Sequence, residues 1–190
     1  MGGWMKNAVA AAAVATSVAG AASALAAQDM FLKIEGIQGE SRDSKHAQEI
    51  DVLAWSWGVA TPVAAQTGGG GGAGKVVIHD IIISKRMDKS SPSLYLNAAQ
   101  GKHIPSVVLT VRRGGEKPQE YLTIKLHEVL VSSITTHATA GAGSEYAMEE
   151  LKLSFLKVEL EYKSFDEKGN LVTGGGPHKF GWDIKGNVKL

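Results

Sequence analysis

ELKLSFLKVELEYKSF, residues Glu150 to Phe165, alternates apolar and polar side chains, but not in one unbroken phase. Leu151, Leu153 and Phe155 share one face of an extended chain, whereas Leu156, Val158, Leu160 and Tyr162 share the other. Side chains on a strand repeat every two residues, so a slip by one moves a whole apolar set across the sheet. Two arrangements reconcile that slip with a buried core: a β-bulge where the phase changes, or burial on both faces. Either way the segment reads as a long strand.

The segments on either side read the same way. Met30–Glu35 alternates, with Met30, Leu32 and Ile34 on one face, and Gly36 to Gln48 is a polar, extended loop. Ile50 to Val59 predicts a strand with Leu53, Trp55 and Trp57 facing one way and Ala54, Ser56 and Gly58 the other. Further strands are expected at Val76–Lys85, Val107–Arg113, Tyr121–Ile134 and Lys179–Ile184, with turns at Gly114–Pro118 and Asp166–Asn170 and a loop at Thr136–Ser144. One helix interrupts them, Ser91 to Gln100. Ser91 suits the N-cap, Pro92 the first turn and Gly101 the left-handed position after the end, and Leu94 and Ala98 share a face. Many short strands with one helix indicate a barrel or a sandwich. Val108, Val129, Val131, Leu156 and Val158 make the outer face rather apolar, which points to a surface covered by another subunit.

Composition narrows the function. The chain has 190 residues, enough for one domain with a sizeable core, and 20 basic residues balance 19 acidic ones. No basic field argues for nucleic acid and no Lys/Arg cluster for a membrane surface. Cysteine is absent, which removes disulfides, thiolate metal sites and a cysteine nucleophile. Residues 1–26 have the order of a secretory signal: Lys6, an Ala/Val-rich run, then Ala24-Leu25-Ala26 with a cleavage point between Ala26 and Ala27. The alternative is a mis-called start upstream of a domain spanning 27–190.

Candidate chemistry is sparse. GGGGGAGKV, Gly68 to Val76, nearly spells a phosphate-binding loop, but Val76 replaces the Mg²⁺-holding hydroxyl and a strand follows where a helix should. A Gly-rich connector between strands fits it better. The six histidines include no pair at metal-ligand spacing. No nucleophile elbow occurs, and Glu149-Glu150 and Asp166-Glu167 are adjacent pairs that read as solvated charge. No catalytic, metal or cofactor residue is expected, and the chain does not read as an enzyme.

Five stretches together resemble the haemolysin-coregulated protein (Hcp) family of the bacterial type VI secretion system: Asp29–Val59, Gly68–Val76, Asp88–Gly115, Glu120–Ser133 and Lys179–Lys189. They run in order from Asp29 to Leu190. The resemblance implies a mainly β, two-sheet β-barrel flanked by one helix, with six copies in a ring and rings stacked into a tube. A contractile sheath would drive that tube and its spike protein from the cell, with small effectors carried in the hole. It places the loop of Gly39, Glu40, Ser41, Arg42, Asp43, Ser44, Lys45 and His46 against a neighbouring subunit or ring. If both indoles of Trp55-Ser56-Trp57 pack inward, Ser56 faces the hole and meets cargo. The glycine run resembles the family's inter-strand loop. The leader departs from the family, whose members assemble in the cytoplasm without one; a processed leader would imply instead a periplasmic Hcp-like oligomer or binding module outside the tube.

Overall fold

The computed structural model describes residues 28–62, 75–114, 118–141, 145–166, 169–172 and 176–190. The leader with its Ala26/Ala27 junction, most of the glycine run and the tip of the Gly114–Pro118 turn lie outside the described residues.

The strands are β1 (Gln28–Ile34), β2 (Ile50–Ser56), β3 (Val59–Ala60), β4 (Val77–Ile78), β5 (Ile81–Arg86), β6 (Ile104–Arg113), β7 (Gln119–His137), β8 (Met148–Ser154), β9 (Lys157–Tyr162), β10 (His178–Asp183) and β11 (Val188–Lys189), and helix α1 spans Ser91–Gln100. All the pairings are antiparallel. Hydrogen bonding runs β7-β6-β1-β2-β5-β8 and returns to β7, which closes a six-stranded barrel. β9, β10 and β11 continue outward from β7, and β3 and β4 form a separate two-stranded ribbon.

The barrel is built from two sheets that share two strands. Ile50 and Asp51 of β2 pair with β1, whereas Val52 to Ser56 pair with β5. The register shifts between Val52 and Ala54, where β2 passes from one sheet to the other. β7 crosses in the same way: Leu122–His127 pair with β9 and Leu130–His137 with β8. Strands that change sheet do so at bulges or bends, because a straight ladder cannot turn the corner. At the β7 corner Glu128 has φ 53°, a left-handed conformation uncommon for a residue with a side chain.

The phase slip of Glu150–Phe165 lies directly across from that corner. One long strand is not observed there; β8 ends at Ser154, β9 begins at Lys157, and Leu156 N–H donates to His127 O at 3.1 Å. The slip keeps Leu151, Leu153, Phe155 and then Val158 in the core while the ribbon bends, leaving Leu156 38% exposed. Val129, Val131 and Val158 are therefore buried in their own barrel, not on an apolar outer face. The bulge in β2 corrects a second phase: Val52 turns inward and Leu53, expected beside the two tryptophans, is 42% exposed.

Helix α1 has the expected limits with a different cap. Ser90 is the N-cap, Ser91 already belongs to the first turn, and Gly101 takes the left-handed conformation at φ 59°. Leu94 is fully buried against the barrel. The Ser91 hydroxyl turns into the protein, where it donates to Glu149 Oε2 at 2.7 Å and accepts from Asp88 N–H at 3.1 Å.

Glu149 is not solvated: it is 1% exposed and paired with Lys85, which is 0% exposed. The two stand directly opposite each other on β8 and β5, with Lys85 Nζ 2.7 Å from Glu149 Oε2. Lys85 Nζ also lies within hydrogen-bond distance of Arg86 O at 2.8 Å, Asp88 Oδ1 at 2.9 Å and Ser91 Oγ at 3.1 Å, so its three protons have four acceptors to share. Glu149 Oε1 accepts from Thr136 Oγ1 at 3.0 Å, and the Tyr95 hydroxyl of α1 lies 2.5 Å from Thr136 Oγ1. A buried charge left without its partner costs about 3–5 kcal/mol, whereas replacing both partners by apolar groups of similar volume is often close to neutral. Lys85→Met should therefore lower the free energy of unfolding in urea by about 3–5 kcal/mol. Lys85→Met combined with Glu149→Leu should recover most of that loss.

Candidate functional site

The loop between β1 and β2 is an ordered excursion over the outside of the barrel. Its own backbone closes it: Gly39 N–H donates to Gln48 O at 2.7 Å, Ser41 N–H to Glu49 O at 2.9 Å and Gln48 N–H to Ser41 O at 2.9 Å. Gly39 is required at this crossing, since a Cβ there would lie 2.4 Å from Glu49 O.

Side chains then fasten the loop to the wall. Alternation puts Leu32 and Ile34 of β1 in the core and Asp29 and Phe31 on the opposite face. On β6, Thr110 and Arg112 lie across from Phe31 and Asp29 in the ladder. The Arg112 guanidinium is 4.9 Å from the Phe31 ring centroid and donates to Asp29 Oδ2 at 3.0 Å. It also donates to Asp43 Oδ2 of the loop at 2.5 Å. Asp43 Oδ1 accepts from the backbone N–H groups of Lys45 and His46 at 2.9 and 3.2 Å. His46 stacks on Phe31 with centroids 4.2 Å apart and planes within 9°. Its Nδ1 lies 2.9 Å from Glu49 Oε2, and its Nε2 3.4 Å from Glu120 Oε1. Phe31 and Arg112, outward-facing residues of a barrel, are thereby buried to 4% and 8% exposure.

The electrostatics follow the geometry. The Arg112 guanidinium and the Lys45 N–H hold the Asp43 carboxyl down at about 2, well below the usual carboxylate range. The Asp43 carboxylate in turn raises Arg112 above its ordinary value.

The expected contact residues divide into two sets. Gly39, Ser41 and His46 are buried and Asp43 is half-buried, whereas Glu40, Arg42, Ser44 and Lys45 are exposed. Glu40 Oε1 accepts from the Lys89 N–H at 3.0 Å, which ties the loop to the turn before α1. Glu40 and Arg42 line a groove of about 360 Å³ with Asp51, Leu53, Arg86 and Met87. Ser56 is elsewhere, exposed at the end of β2 and paired with Ile82. Trp55 and Trp57 on either side of it pack against the core, and Trp57 Nε1–H donates to His79 O at 3.1 Å.

Sequence reading passed over Arg112, Phe31 and Lys85 as site residues and took Glu149, which is buried, for solvated charge. Phe31 falls out of phase with the apolar face of β1, so it required a cover. Lys85 falls in phase with Ile81 and Ile83, and Glu149 with Leu151 and Leu153; opposite charges on two apolar faces were the available signal. Among the described residues, no group of three or more His, Cys, Asp or Glu side chains is arranged to hold a metal ion, and no helix is long and apolar enough to cross a membrane.

The class of protein is a closed, mainly β barrel with one helix and an anchored loop between β1 and β2. Residues 31–162 match the family model described as "Type VI secretion system effector, Hcp". The chain is 47% identical over 165 residues to protein hcp1 of Pseudomonas aeruginosa, covering 86% of this chain and 99% of that one. Among solved structures it resembles Hcp1 from Salmonella typhimurium, with 34% identity, a TM-score of 0.70 and coverage of 86% of this chain and 99% of the other. A type six secretion system protein matches with a TM-score of 0.79 at 29% identity, over 86% and 100% of the two chains. The chain belongs to the Hcp family of type VI secretion and is a tube subunit of that machine.

Acid should loosen the loop before it unfolds the barrel. A carboxyl whose value is depressed on folding contributes stability that is fully present above its unfolded value of 3.8 and is lost as pH falls towards about 2. An NMR titration of the Asp43 carboxyl, with the Lys45 and His46 amides as reporters, should show a midpoint near 2, and Asp43→Asn should abolish the step.

Proposed function

We propose that six copies close head to tail into a ring, that rings stack into the tube, and that small effectors travel in the hole. The reading rests on one observation above the others: the loop between β1 and β2 is ordered within a single chain while its Glu40, Arg42 and Lys45 are exposed. Membership of a secretion-tube family supports the same reading.

On this reading Gly39, Glu40, Ser41, Arg42, Asp43, Ser44, Lys45 and His46 form the contact loop, with Glu40, Arg42, Ser44 and Lys45 touching the neighbouring copy. Among the described residues β11 is the last strand of the sheet and pairs only with β10, and a closed ring uses such edges in a finite assembly. The near-balance of basic and acidic residues keeps repulsion between stacked copies small. Ser56, held outward between two inward tryptophans, lines the hole and presents a small polar surface to cargo. Sheath and spike are the remaining protein partners, and the subunit acts without a reaction of its own. Assembly is in the cytoplasm and release is through the type VI machine; residues 27–190 form the single barrel domain. N-terminal sequencing of the native protein separates this route from export of a leader-processed form to the periplasm.

Size exclusion with light scattering should find the purified chain at the mass of six copies. A folded monomer at high concentration would count against the ring. Ser56→Tyr should leave that mass unchanged and reduce co-purification of effectors. Loss of the ring in this variant would overturn the placement of Ser56.

A further inference from the structure

Four residues of the β1–β2 loop are turned inward, Gly39, Ser41, Asp43 and His46, and the residues between them point to solvent. The inward set meets fixed partners on the barrel: Asp43 meets Arg112, and His46 meets Phe31 of β1 and Glu120 of β7. We infer that Arg112 is a positioning residue for subunit contact, a latch that sets the shape of residues 39–46 before a second copy arrives. The inference rests on the proposal that this loop touches a neighbouring copy.

A loop ordered only on contact would lose conformational freedom at the moment of binding, at a cost of about 1–2 kcal/mol per residue fixed. The latch moves that cost to folding, where the barrel offsets it. Arg112 suits the task for three reasons. Its planar guanidinium reaches two carboxylates at once, Asp29 on β1 and Asp43 on the loop. Its flat face covers Phe31, the ring that also carries His46. It is held to the wall by Asp29 across the ladder and by the Phe31 ring, contacts that do not involve the loop. Lysine offers neither the fork nor the flat face.

The two carboxylates separate the latch from the barrel wall. Asp43→Asn keeps an oxygen for the Lys45 and His46 N–H groups and removes the charge that binds Arg112. Asp29→Asn removes a pair within the wall and leaves the loop tie in place. Hydrogen exchange and light scattering on the full chain test both. Asp43→Asn should speed amide exchange across residues 39–46 about tenfold or more, as expected for a lost charge-assisted hydrogen bond. It should also raise the concentration at which rings form by a similar factor, with the urea midpoint of the barrel little changed. Asp29→Asn should leave both exchange in the loop and assembly near wild type. Arg112→Gln, which also removes the Asp29 pair and the cover of Phe31, should speed loop exchange at least as much as Asp43→Asn, and adding Asp43→Asn to it should change loop exchange little further, because the Asp43 tie is already gone. Unchanged exchange in Asp43→Asn would refute the latch itself. Faster exchange with unchanged assembly would refute its role in contact. A wild-type chain that never forms rings would overturn the ring proposal and this role with it, while the exchange data would still decide whether the latch exists.

Discussion

Closure of the barrel depends on two strands that each belong to two sheets. β2 and β7 must bend where they cross, and each does so at an irregularity: the shifted register between Val52 and Ala54, and the left-handed backbone of Glu128. The partner of β7 bends opposite it, which is why β8 and β9 are separate elements joined by Phe155 and Leu156. From this corner the two ends of the ribbon diverge. β8 pairs onward with β5 and shuts the barrel, whereas β9 pairs onward with β10 and carries a three-stranded extension away from it. Without the bend, β9 would continue beside β5 and the extension would have no edge to grow from.

The seam that β8 makes with β5 carries the buried pair of Lys85 and Glu149. A hydrophobic seam would bury the same area with no desolvation penalty. The ion pair supplies direction as well. Lys85 and Glu149 reach Asp88, Ser91 and Thr136, and Tyr95 reaches Thr136, so the start and middle of α1 are fixed to the seam by polar contacts with definite geometry. Leu94 alone fixes the depth of the helix but not its rotation or its slide along the wall. The missing side-chain cap at Ser90 is consistent with this arrangement, since Ser91 and Asp88 are engaged with Lys85.

Periodicity made the strand content and the limits of α1 legible, because alternation and helix-end chemistry are local. It failed at the two corners. Leu53 and the Val129, Val131 and Val158 group were assigned to the wrong side of the wall, since a bulge reverses the phase and leaves no separate mark in composition. The Glu150–Phe165 slip was legible as an irregularity, but its meaning required knowing that β7 bends opposite it. The loop between β1 and β2 was legible as a polar, extended range. Its division into anchored and presented residues was not, because Arg112, Asp29 and Asp43 are far apart in sequence and meet only once β1 and β6 pair. Glu149 was misread for a related reason: an adjacent acidic pair looks solvated until one member is seen to share phase with Leu151 and Leu153.

A ring places a demand on such a loop that a simple dimer does not. In a closed cycle every contact repeats, so an error in the angle of one interface is multiplied by the number of copies before the ends meet. A loop free to adopt several shapes would permit several angles, and open chains would compete with the closed form. Anchoring Ser41, Asp43 and His46 restricts that freedom while leaving Glu40, Arg42, Ser44 and Lys45 exposed for the proposed contact. In the proposed ring their charges would act on direction and register more than on raw affinity. The anchor is itself polar, two carboxylates on one guanidinium, so the angle it sets is fixed by hydrogen-bond geometry rather than by the looser fit of apolar surfaces.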